Sequence, residues 1–385
     1  MKNVDVCIIG GGMIGAASAI GCAKQGLSVC LIEAHMPQTF EPQQDPDLRV
    51  SAINLHSVNL LQSLGAWQHI ENMRYRPYLG LECWESPQAR TSFYAQDVKQ
   101  SIMGYFVENR IVQLALLEEL SLSHADGVSI LTNVNAKHVD CENGQVSLDD
   151  GTQIRASIII AADGANSRSR TMAGIGSTGW GYKQRANVFS VRLKNIGPDI
   201  TWQQFTPTGP MALLPMYQDY ASLVWYADQS FSANLAQMSD DTLKQCIQNA
   251  FPDELDEFEL IDRGSFPLTR SHANRYYRSR LVLLGDAAHS INPLAGQGVN
   301  LGFKDLSALL DALADKGLHE YTSVFEQYTR SRRMQNLTVM SFMDAIYLSF
   351  SNKVLPLQIM RNLALMVADK AGLAKQIALK HAMGL

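Results

Sequence analysis

The stretch that decides the fold is Val4-Asp5-Val6-Cys7-Ile8-Ile9-Gly10-Gly11-Gly12-Met13-Ile14-Gly15, near the N-terminus. Its apolar half predicts a buried parallel strand, and the small residues at 16–24 predict a helix after the glycines. In such a unit the glycines let the backbone approach a pyrophosphate, and the helix N-terminus attracts its negative charge. The residues predicted to bind a dinucleotide here are Gly10, Gly12, Met13, Ile14 and Gly15.

A second strand is predicted at residues 27–32, and it ends in Glu33. An acidic residue about 20 positions after the glycines suits a hydrogen bond to a ribose hydroxyl. A glycine-rich turn that binds no ligand would explain the glycines by themselves. It would not explain why a strand, the glycines, a helix, a second strand and an acidic residue follow one another at these spacings. The fingerprint does not separate NAD from FAD, so the rest of the chain has to decide.

Two further apolar runs end in polar turns. Residues 158–162 lead into Asp163-Gly164, and residues 281–284 lead into Gly285-Asp286. Carboxylates at the ends of buried strands suit the hydroxyl groups of a dinucleotide, although Asp163 alone also fits an ordinary helix N-cap. We therefore predict that Asp163, Gly164 and Asp286 contact the cofactor.

A glycine-rich turn follows the second of these motifs. Gly296-Gln297-Gly298 leads into a helix predicted at residues 299–313. Free N–H groups at the start of that helix suit the negative charge that gathers on a reduced flavin. Together with the two polar turns, this pattern favours FAD over NAD.

Composition limits the remaining choices. A chain of 385 residues exceeds what one hydrophobic core usually supports, so two interleaved lobes are expected. The net charge of −5 argues against nucleic acid as a partner, because phosphate binding needs a concentrated basic face.

The six cysteines form no C-x-x-C pair or Cys/His cluster, which predicts reduced thiols and no metal site. A strand beginning at Val4 leaves no room for a signal peptide, and no run of about 18 apolar residues occurs, so a cytoplasmic protein is expected.

The segments at 4–33, 158–170 and 281–302 together resemble the group A flavin monooxygenases, which share the para-hydroxybenzoate hydroxylase fold. The resemblance implies an α/β chain with a Rossmann-like FAD-binding domain, an interleaved mixed-sheet substrate domain and C-terminal helices. We expect an FAD-binding domain at 1–70, 106–175 and 276–330, a substrate-binding sheet domain at 71–105 and 176–275, and a C-terminal helical segment at 331–385.

The same resemblance implies noncovalent FAD as cofactor, NAD(P)H as a transient co-substrate, and O2 as the source of a hydroxyl group. Asn109 departs from the wider family, in which many members carry an arginine at this position. Besides the fingerprint, the residues implied to contact FAD are Arg49, Asn109, Gln113, Asp163, Gly164, Asp286, Pro293, Gly296, Gln297, Gly298, Val299 and Asn300.

Several segments narrow the substrate. Residues 47–53 and 104–113 resemble the ubiquinone-biosynthesis hydroxylases. Residues 201–207, 222–226, 266–270 and 360–363 resemble those members that act on a demethoxyubiquinol ring. The resemblance implies a polyprenylated quinol or phenol as substrate. Sister enzymes act at other ring positions, so the position and the prenyl length stay open.

Aromatic residues in the strands predicted at 180–275 are candidates for an apolar ring pocket. Each of them alone fits ordinary core packing as well. His289 lies beside Asp286 on a cofactor loop, and we assign it a structural role rather than a catalytic one. The predicted ring-pocket residues are Trp202, Phe205, Trp225, Tyr226 and Pro293.

The C-terminal segment has a distinct charge. Residues 330–385 carry eight basic side chains against two acidic ones. Leu357, Met360, Leu363 and Val367 fall on one side of a predicted helix. Such a helix suits peripheral contact with the inner face of a membrane or with a protein complex of ubiquinone biosynthesis. The alternative is that these helices close over the FAD domain.

Two other functions share parts of this pattern. An amine or amino-acid oxidase has the same N-terminal fingerprint, but the motifs at Asp163 and Asp286 count against it. The other hypothesis is a non-catalytic flavin- or quinone-binding subunit of a biosynthetic complex. Product formation by the purified protein separates these alternatives.

Overall fold

The computed structural model describes residues 1–123, 127–195, 197–292, 296, 298–352 and 354–385. In chain order the strands are β1 Lys2–Ile9, β2 Val29–Glu33, β3 Val50–Asn54, β4 Arg76–Tyr78, β5 Gly80–Trp84, β6 Thr91–Tyr94, β7 Gly104–Glu108, β8 Val128–Thr132, β9 Ala136–Asp140, β10 Gln145–Leu148, β11 Gln153–Ala161, β12 Ser177–Leu193, β13 Ile200–Thr206, β14 Gly209–Pro215, β15 Tyr220–Asp228, β16 Phe258–Ala273, β17 Tyr277–Arg278, β18 Leu281–Leu283 and β19 His289–Ser290. The α-helices are α1 Met13–Lys24, α2 Leu55–Leu64, α3 Trp67–Asn72, α4 Asn109–Ser123, α5 Arg168–Met172, α6 Gln229–Gln237, α7 Asp240–Ala250, α8 Gly298–Lys316, α9 Tyr321–Phe350, α10 Leu355–Asp369 and α11 Leu373–Met383.

The first sheet is built around five parallel strands in the order β18-β11-β1-β2-β8. A strand that is buried on both faces consists of consecutive apolar residues, as residues 6–9 of β1 and 158–161 of β11 do. The register aligns the strand ends: Ile9 lies opposite both Ile32 and Ala161, and Ala161 lies opposite Leu283. The turns that follow these four residues therefore meet at one edge of the sheet.

The turn between β1 and α1 requires glycine at two positions. Gly10 has φ +101°, a left-handed conformation that residues with a side chain rarely adopt. A Cβ on Gly15 would stand 1.7 Å from the carbonyl oxygen of Gly10. Helix and strand can therefore approach this closely only because Gly15 has no side chain.

The second sheet has the strand order β19-β16-β12-β15-β14-β13-β5-β6, and its pairs are antiparallel except β13 with β5. A small antiparallel sheet, β3-β7-β4, is separate from it. The expected α/β class is confirmed. Because strands of the first sheet come from stretches on either side of the second, we retain the proposed division into an FAD-binding and a substrate-binding domain.

The C-terminal helices differ from the expected segmentation. Helix α9 is continuous from Tyr321 to Phe350, so the expected boundary between residues 330 and 331 falls inside it. In α11, Leu379 and Met383 are buried against Phe106 of the small sheet. No helix in the described part of the chain is long and apolar enough to cross a membrane.

His272 on β16 gives the fold a pH dependence. Its buried ring forms a 3.1 Å hydrogen bond with the Tyr276 hydroxyl. Burial, with the nearby charges of His289 and Arg333, lowers the pKa of His272 from 6.5 to about 4. In the unfolded chain His272 keeps its ordinary pKa of about 6.5 and therefore binds a proton more tightly than in the folded protein. The folded protein is most stable above about pH 6.5, where His272 is neutral in both states, and it loses stability as the pH falls towards 4. Urea unfolding should show a His272 contribution of about 2 kcal/mol lost between about pH 7 and pH 5.

The variant that isolates this effect is His272→Gln, which should flatten the dependence. The matched control is His319→Gln, because His319 is exposed. Equal pH slopes for wild type and His272→Gln would contradict the assignment.

Candidate active site

Gly12 is the residue at which the fingerprint opens to solvent. It caps α1 in an ordinary extended conformation, φ −66° and ψ −174°, without a side-chain hydrogen bond. A Cβ added there would meet no atom within 4 Å. The first N–H groups of α1 lack intrahelical partners by geometry. The loop at Gly12 and the start of α1, which we call the Gly12 cradle, thus presents backbone N–H donors to an open space.

Glu33 is fixed against this loop at the end of β2. Its Oε2 accepts a hydrogen bond from the Gly11 N–H at 2.5 Å, and its Oε1 accepts from the His35 N–H at 2.8 Å. A carboxylate has about four acceptor positions, so both oxygens keep a lone pair for a further donor. The geometry suits the ribose hydroxyl that the sequence predicts as its partner.

A cleft of about 770 Å³ lies beside the glycine loop. This volume is within the range of roughly 300–1,000 Å³ found for small-molecule sites. Gln113 forms part of the wall and donates from Nε2 to the Gly11 carbonyl at 2.9 Å. Asn109 accepts from the Ser51 hydroxyl at 2.7 Å. The lining residues are Gly12, Met13, Pro37, Gln38, Asp45, Pro46, Asp47, Leu48, Arg49, Asn109, Arg110, Gln113, Ile261 and Asp262.

One pair in this wall was missed by sequence reasoning. Arg110 forms a double hydrogen bond with Asp47, at 2.7 Å from Nε and 3.1 Å from Nη2. It also donates to the carbonyls of Gln38 and Thr39. Asp47 begins the segment 47–53, but nothing local in the sequence indicates that its partner is 63 positions away.

A buried ion pair supports the same segment from behind. Arg74 donates to Glu108 at 2.7 and 2.9 Å, and both side chains are almost fully buried. Glu108 also accepts from the Asp47 N–H at 2.6 Å. The position of the wall residue Asp47 is therefore fixed by its backbone as well as by its carboxylate.

Asp163 is occupied by its own helix. Its carboxylate accepts from the Ser167 hydroxyl at 2.5 Å and from the Ser169 N–H at 3.0 Å. This is the helix-capping arrangement that the sequence left open. Arg170 donates to the Ala287 carbonyl at 2.8 Å and so connects this segment to the turn at Gly285-Asp286, which we call the G-D turn. Gly164, at φ +79°, has open space where a Cβ would stand.

Asp286 contrasts with Asp163. Among the residues that the structure describes, none forms a hydrogen bond or ion pair with its carboxylate, and the side chain is accessible. Burial by the surrounding protein nevertheless raises the pKa of Asp286, against the opposing charges of His289 and Arg49. An accessible carboxylate at this edge, with no hydrogen-bond partner among the described residues, fits a ligand hydroxyl.

Removing this carboxylate should weaken FAD binding while the fold stays intact. We expect Asp286→Ala to lower FAD affinity by about 10- to 100-fold, because a hydrogen bond to a charged group contributes about 1.5–3 kcal/mol. Isothermal titration of the apoprotein with FAD measures this. Asp315→Ala is the control, because its carboxylate is exposed on α8 and does not line the cleft. FAD affinity equal to that of wild type would exclude Asp286 from the site.

The start of α8 completes the edge. A Cβ on Gly298 would meet open space, whereas Gly296 has φ +63° and lies against Ala52. The Asn300 side chain is committed elsewhere: it accepts from the Asn54 N–H at 3.0 Å and donates to the Ala52 carbonyl at 2.7 Å. Its contribution to a cofactor would therefore come from its backbone. Pro293 and Gln297, also predicted here, lie outside the described residues.

Two other predicted residues have packing roles. Ile14 fills the space between Gly285 and Gly302, where an added Cβ would come within 3.2 and 2.8 Å of it, respectively. Val299 is partly buried against the main core. Ile14 therefore packs α1 against α8 and the Gly285-Asp286 turn, and neither residue is among those that line the cleft.

His289 belongs to a buried network behind the G-D turn. Its Nε2 lies 2.5 Å from Asp305, which also accepts from Arg332 and from Asn336, each at 2.9 Å. Burial opposes ionisation of Asp305, but the adjacent His289, Arg332 and Asn336 hold its pKa below the usual range. Such an arrangement supports the structural role predicted for His289.

The four described ring-pocket candidates divide between the two faces of the second sheet. Trp202 and Trp225 pack with Phe251 at 6.1 and 5.8 Å, in the core covered by α6 and α7. Phe205 stacks on Phe350 of α9 at 4.1 Å, on the other face. Trp202 and Trp225 therefore have the core-packing role that was the alternative to a place in the ring pocket. Because side chains alternate along a strand, these two residues lie on the face opposite Phe205.

Tyr226 lies on the same face as Phe205. It is almost completely buried, and its hydroxyl donates to Asn292 at 3.0 Å. Asn292 lies six residues after Asp286, just beyond β19, so this contact joins β15 of the second sheet to the segment that follows Gly285-Asp286.

Comparison with known proteins agrees with this geometry. A family described as "FAD binding domain" matches residues 3–342. The chain is 42% identical to 3-demethoxyubiquinol 3-hydroxylase of Escherichia coli (strain K12), over 100% of this chain and 99% of that protein. It is 32% identical to ubiquinone hydroxylase UbiL of Rhodospirillum rubrum, over 100% and 90%.

A solved structure shows the same fold. The p-nitrophenol 4-monooxygenase PnpA of Pseudomonas putida DLL-E4 superposes with a TM-score of 0.79 at 20% identity, covering 100% of this chain and 97% of that one. The resemblance to flavin monooxygenases and the assignment of FAD as cofactor are confirmed. The chain belongs to the FAD binding domain family, and it is an FAD-dependent aromatic-ring monooxygenase.

Proposed function

We propose that this enzyme hydroxylates the ring of a polyprenylated quinol in ubiquinone biosynthesis, with NAD(P)H and O2 as co-substrates. The observation that carries the proposal is the meeting of the Gly12 cradle, Glu33 and Asp286 at one sheet edge. Among the described residues, none forms a hydrogen bond with the Asp286 carboxylate. The second sheet meets that edge through Tyr226. The substrate is proposed from the names of the relatives, which are similar over the whole chain.

The residues present fit FAD. The pyrophosphate would lie at Gly12 and the start of α1, the adenosine ribose at Glu33, and the ribityl chain at Asp286. When bound and reduced by NAD(P)H, the flavin supplies the chemistry that activates O2 for hydroxylation. The cleft residues bind and orient it through backbone donors, and the Arg110–Asp47 pair holds the wall in place.

The ring of the substrate would lie against the Phe205 and Tyr226 face of the second sheet. Both side chains are buried, so this face excludes water from the reacting carbon. Tyr226 would hold the Asn292 side chain in place by its hydrogen bond. The remaining predicted contacts, including Arg49, Asn109 and Gln113, are proposed for the cofactor side of the cleft.

Tyr226 offers a test of the ring site. Tyr226→Phe keeps the ring and removes the hydrogen bond to Asn292, so we expect about tenfold slower turnover, corresponding to about 1.4 kcal/mol, and a larger share of hydrogen peroxide. Trp225→Phe is the matched control, because Trp225 lies on the opposite face of the sheet. Product and peroxide are quantified in the same reaction. An unchanged ratio in Tyr226→Phe would move the ring site elsewhere.

The rival functions predict different reductants. A hydroxylase should oxidise NAD(P)H faster when a quinol or phenol analogue is added, and no amine should be required. An amine oxidase would need an amine and no NAD(P)H, and a non-catalytic subunit would do neither. Steady-state NAD(P)H oxidation with and without analogue decides between them, and a rate independent of every analogue would contradict the proposal.

A polyprenylated substrate also implies a partner that delivers it. We propose that the C-terminal helices mediate this delivery, from a membrane or from a protein complex of ubiquinone biosynthesis. The charge and apolar stripe predicted from residues 330–385 support this role.

A further inference from the structure

Helix α10 is attached to the protein by its polar side. Arg361 is only 7% exposed, and its Nε donates to Glu85 at 2.8 Å. The neighbouring Asn362 donates to the same carboxylate at 2.9 Å. Thr91 donates to the Leu365 carbonyl at 2.7 Å. The contact side of this helix is therefore held by an ion pair and hydrogen bonds rather than by apolar packing.

The opposite side of α10 is apolar and faces outward. Its seven large apolar side chains are between 46% and 66% exposed. Ordinary surface helices have the reverse arrangement, with the apolar stripe on the core. Apolar side chains that cluster on a surface mark an interaction site. These residues, which we call the α10 face, are Leu355, Leu357, Ile359, Met360, Leu363, Met366 and Val367.

The next helix continues the pattern. Leu373 and Ile377 of α11 are 73% and 61% exposed. Lys375 bonds back to Asp369 of α10 at 3.2 Å, which joins the two helices. The exposed apolar side chains therefore extend beyond a single helix.

Charge distinguishes the possible occupants. Residues 353–385 contain five basic side chains and one acidic one, a net charge of +4, which leaves −9 for residues 1–352 of a chain with −5 overall. Arg361 is neutralised by Glu85 and Lys375 by Asp369, while Lys370 and Lys380 are exposed. Basic side chains beside an aliphatic stripe are typical of helices that lie in the interface of an anionic membrane.

Side-chain type points the same way. Residues 354–385 contain no Phe, Tyr or Trp. Protein interfaces are usually centred on aromatic and arginine side chains, and the one arginine of this segment is buried in its own ion pair. An aliphatic surface of this kind fits lipid better than a second protein.

The contact side of α10 also lies close to the proposed ring site. The Arg361 guanidinium lies 5.6 Å from the centre of the Phe350 ring, and Phe350 stacks on Phe205.

We infer that the α10 face, with Leu373 and Ile377, docks on the surface of an anionic phospholipid bilayer, with Lys370 and Lys380 at headgroup level. The helices lie on the bilayer. Docking places the ring site next to the lipid in which a polyprenylated quinol dissolves. In this respect the inference deepens the proposed function, but the docking itself requires no turnover.

The test is flotation of the FAD-loaded protein with vesicles of phosphatidylcholine alone or mixed with phosphatidylglycerol. Wild type should float with both and bind the mixed vesicles more tightly. The variant Met360→Gln/Leu363→Gln/Val367→Gln should lose at least about 100-fold in affinity, since three large apolar side chains leave the interface. Lys370→Gln/Lys380→Gln should lose about tenfold with mixed vesicles only.

Leu122→Gln is the control, because Leu122 is equally exposed, at 68%, on helix α4. It should float as wild type does, and all variants should keep their FAD. Failure of wild type to float would overturn the inference. So would a dimer that forms through this face, detected by sedimentation velocity and abolished by the triple variant. Because no substrate is present, a failed hydroxylation assay would reject the proposed function without affecting this result.

Discussion

Replacing Gly12 with valine should give a folded protein that no longer retains FAD. The backbone at Gly12 is in a conformation that any residue adopts, and an added Cβ meets no protein atom within 4 Å. The side chain would instead fill the space that the pyrophosphate needs. We expect a loss of at least about 1,000-fold in FAD affinity, or ~4 kcal/mol. The flavin absorbance of the purified protein and titration with FAD measure this, and the unfolding midpoint of the apoprotein should be unchanged.

Two other glycines make this test specific. Gly15→Val should fail to fold, because its Cβ would overlap the Gly10 carbonyl oxygen. Gly181→Val, at an exposed position in β12 with open space around it, should fold and keep FAD. A yellow, FAD-saturated Gly12→Val protein would mean that the cofactor does not pass this loop.

Asp305→Ala should be among the most destabilising single changes in the chain. Asp305 is fully buried and accepts hydrogen bonds from Arg332 and Asn336 while it contacts His289. Its removal takes away the ion pair of the buried Arg332 guanidinium, which keeps only hydrogen bonds to the neutral side chains of Gln335 and Asn336 among the described residues. Breaking a buried pair in this way costs about 3–5 kcal/mol. Urea unfolding gives the change, and FAD retention should fall with it because His289 follows the G-D turn.

The control for Asp305 lies on the same helix. Asp315 is exposed and forms an ion pair with its neighbour Lys316, so Asp315→Ala should change stability by less than about 0.5 kcal/mol. Similar unfolding free energies for the two variants would show that the network contributes little to the fold.

Local patterns predicted the strands well. Turn residues separate short runs of strand-forming residues at β8, β9 and β10, so these strands can be located from the sequence. The fingerprint likewise indicated β1, α1 and β2 with Glu33 at the edge. In these segments the information is contained within one or two adjacent elements.

Contacts between distant segments were not accessible in the same way. Alternation shows that Trp225 and Tyr226 point to opposite faces, but only the packing of α6 and α7 decides which face is core. Asn300 carries a family motif, yet its side chain bonds to Asn54, 246 positions away. The cofactor loop could be located from sequence, whereas the roles of individual side chains around it depend on the tertiary fold.

The C-terminal helix shows the same limit. The spacing of Met360, Leu363 and Val367 correctly indicated one helix face. Amphipathic patterning alone would bury that face against the protein. The Arg361–Glu85 pair reverses the orientation, and Glu85 lies 276 positions away in sequence.

The most direct test of the proposed function is the mass of the ring product formed under ¹⁸O₂. Purified enzyme with FAD and NAD(P)H should convert a demethoxyubiquinol analogue into a product that carries one ¹⁸O atom on the ring, with one NAD(P)H consumed for each product. Oxidation of NAD(P)H without labelled ring product, for every quinol and phenol analogue tested, would contradict the account.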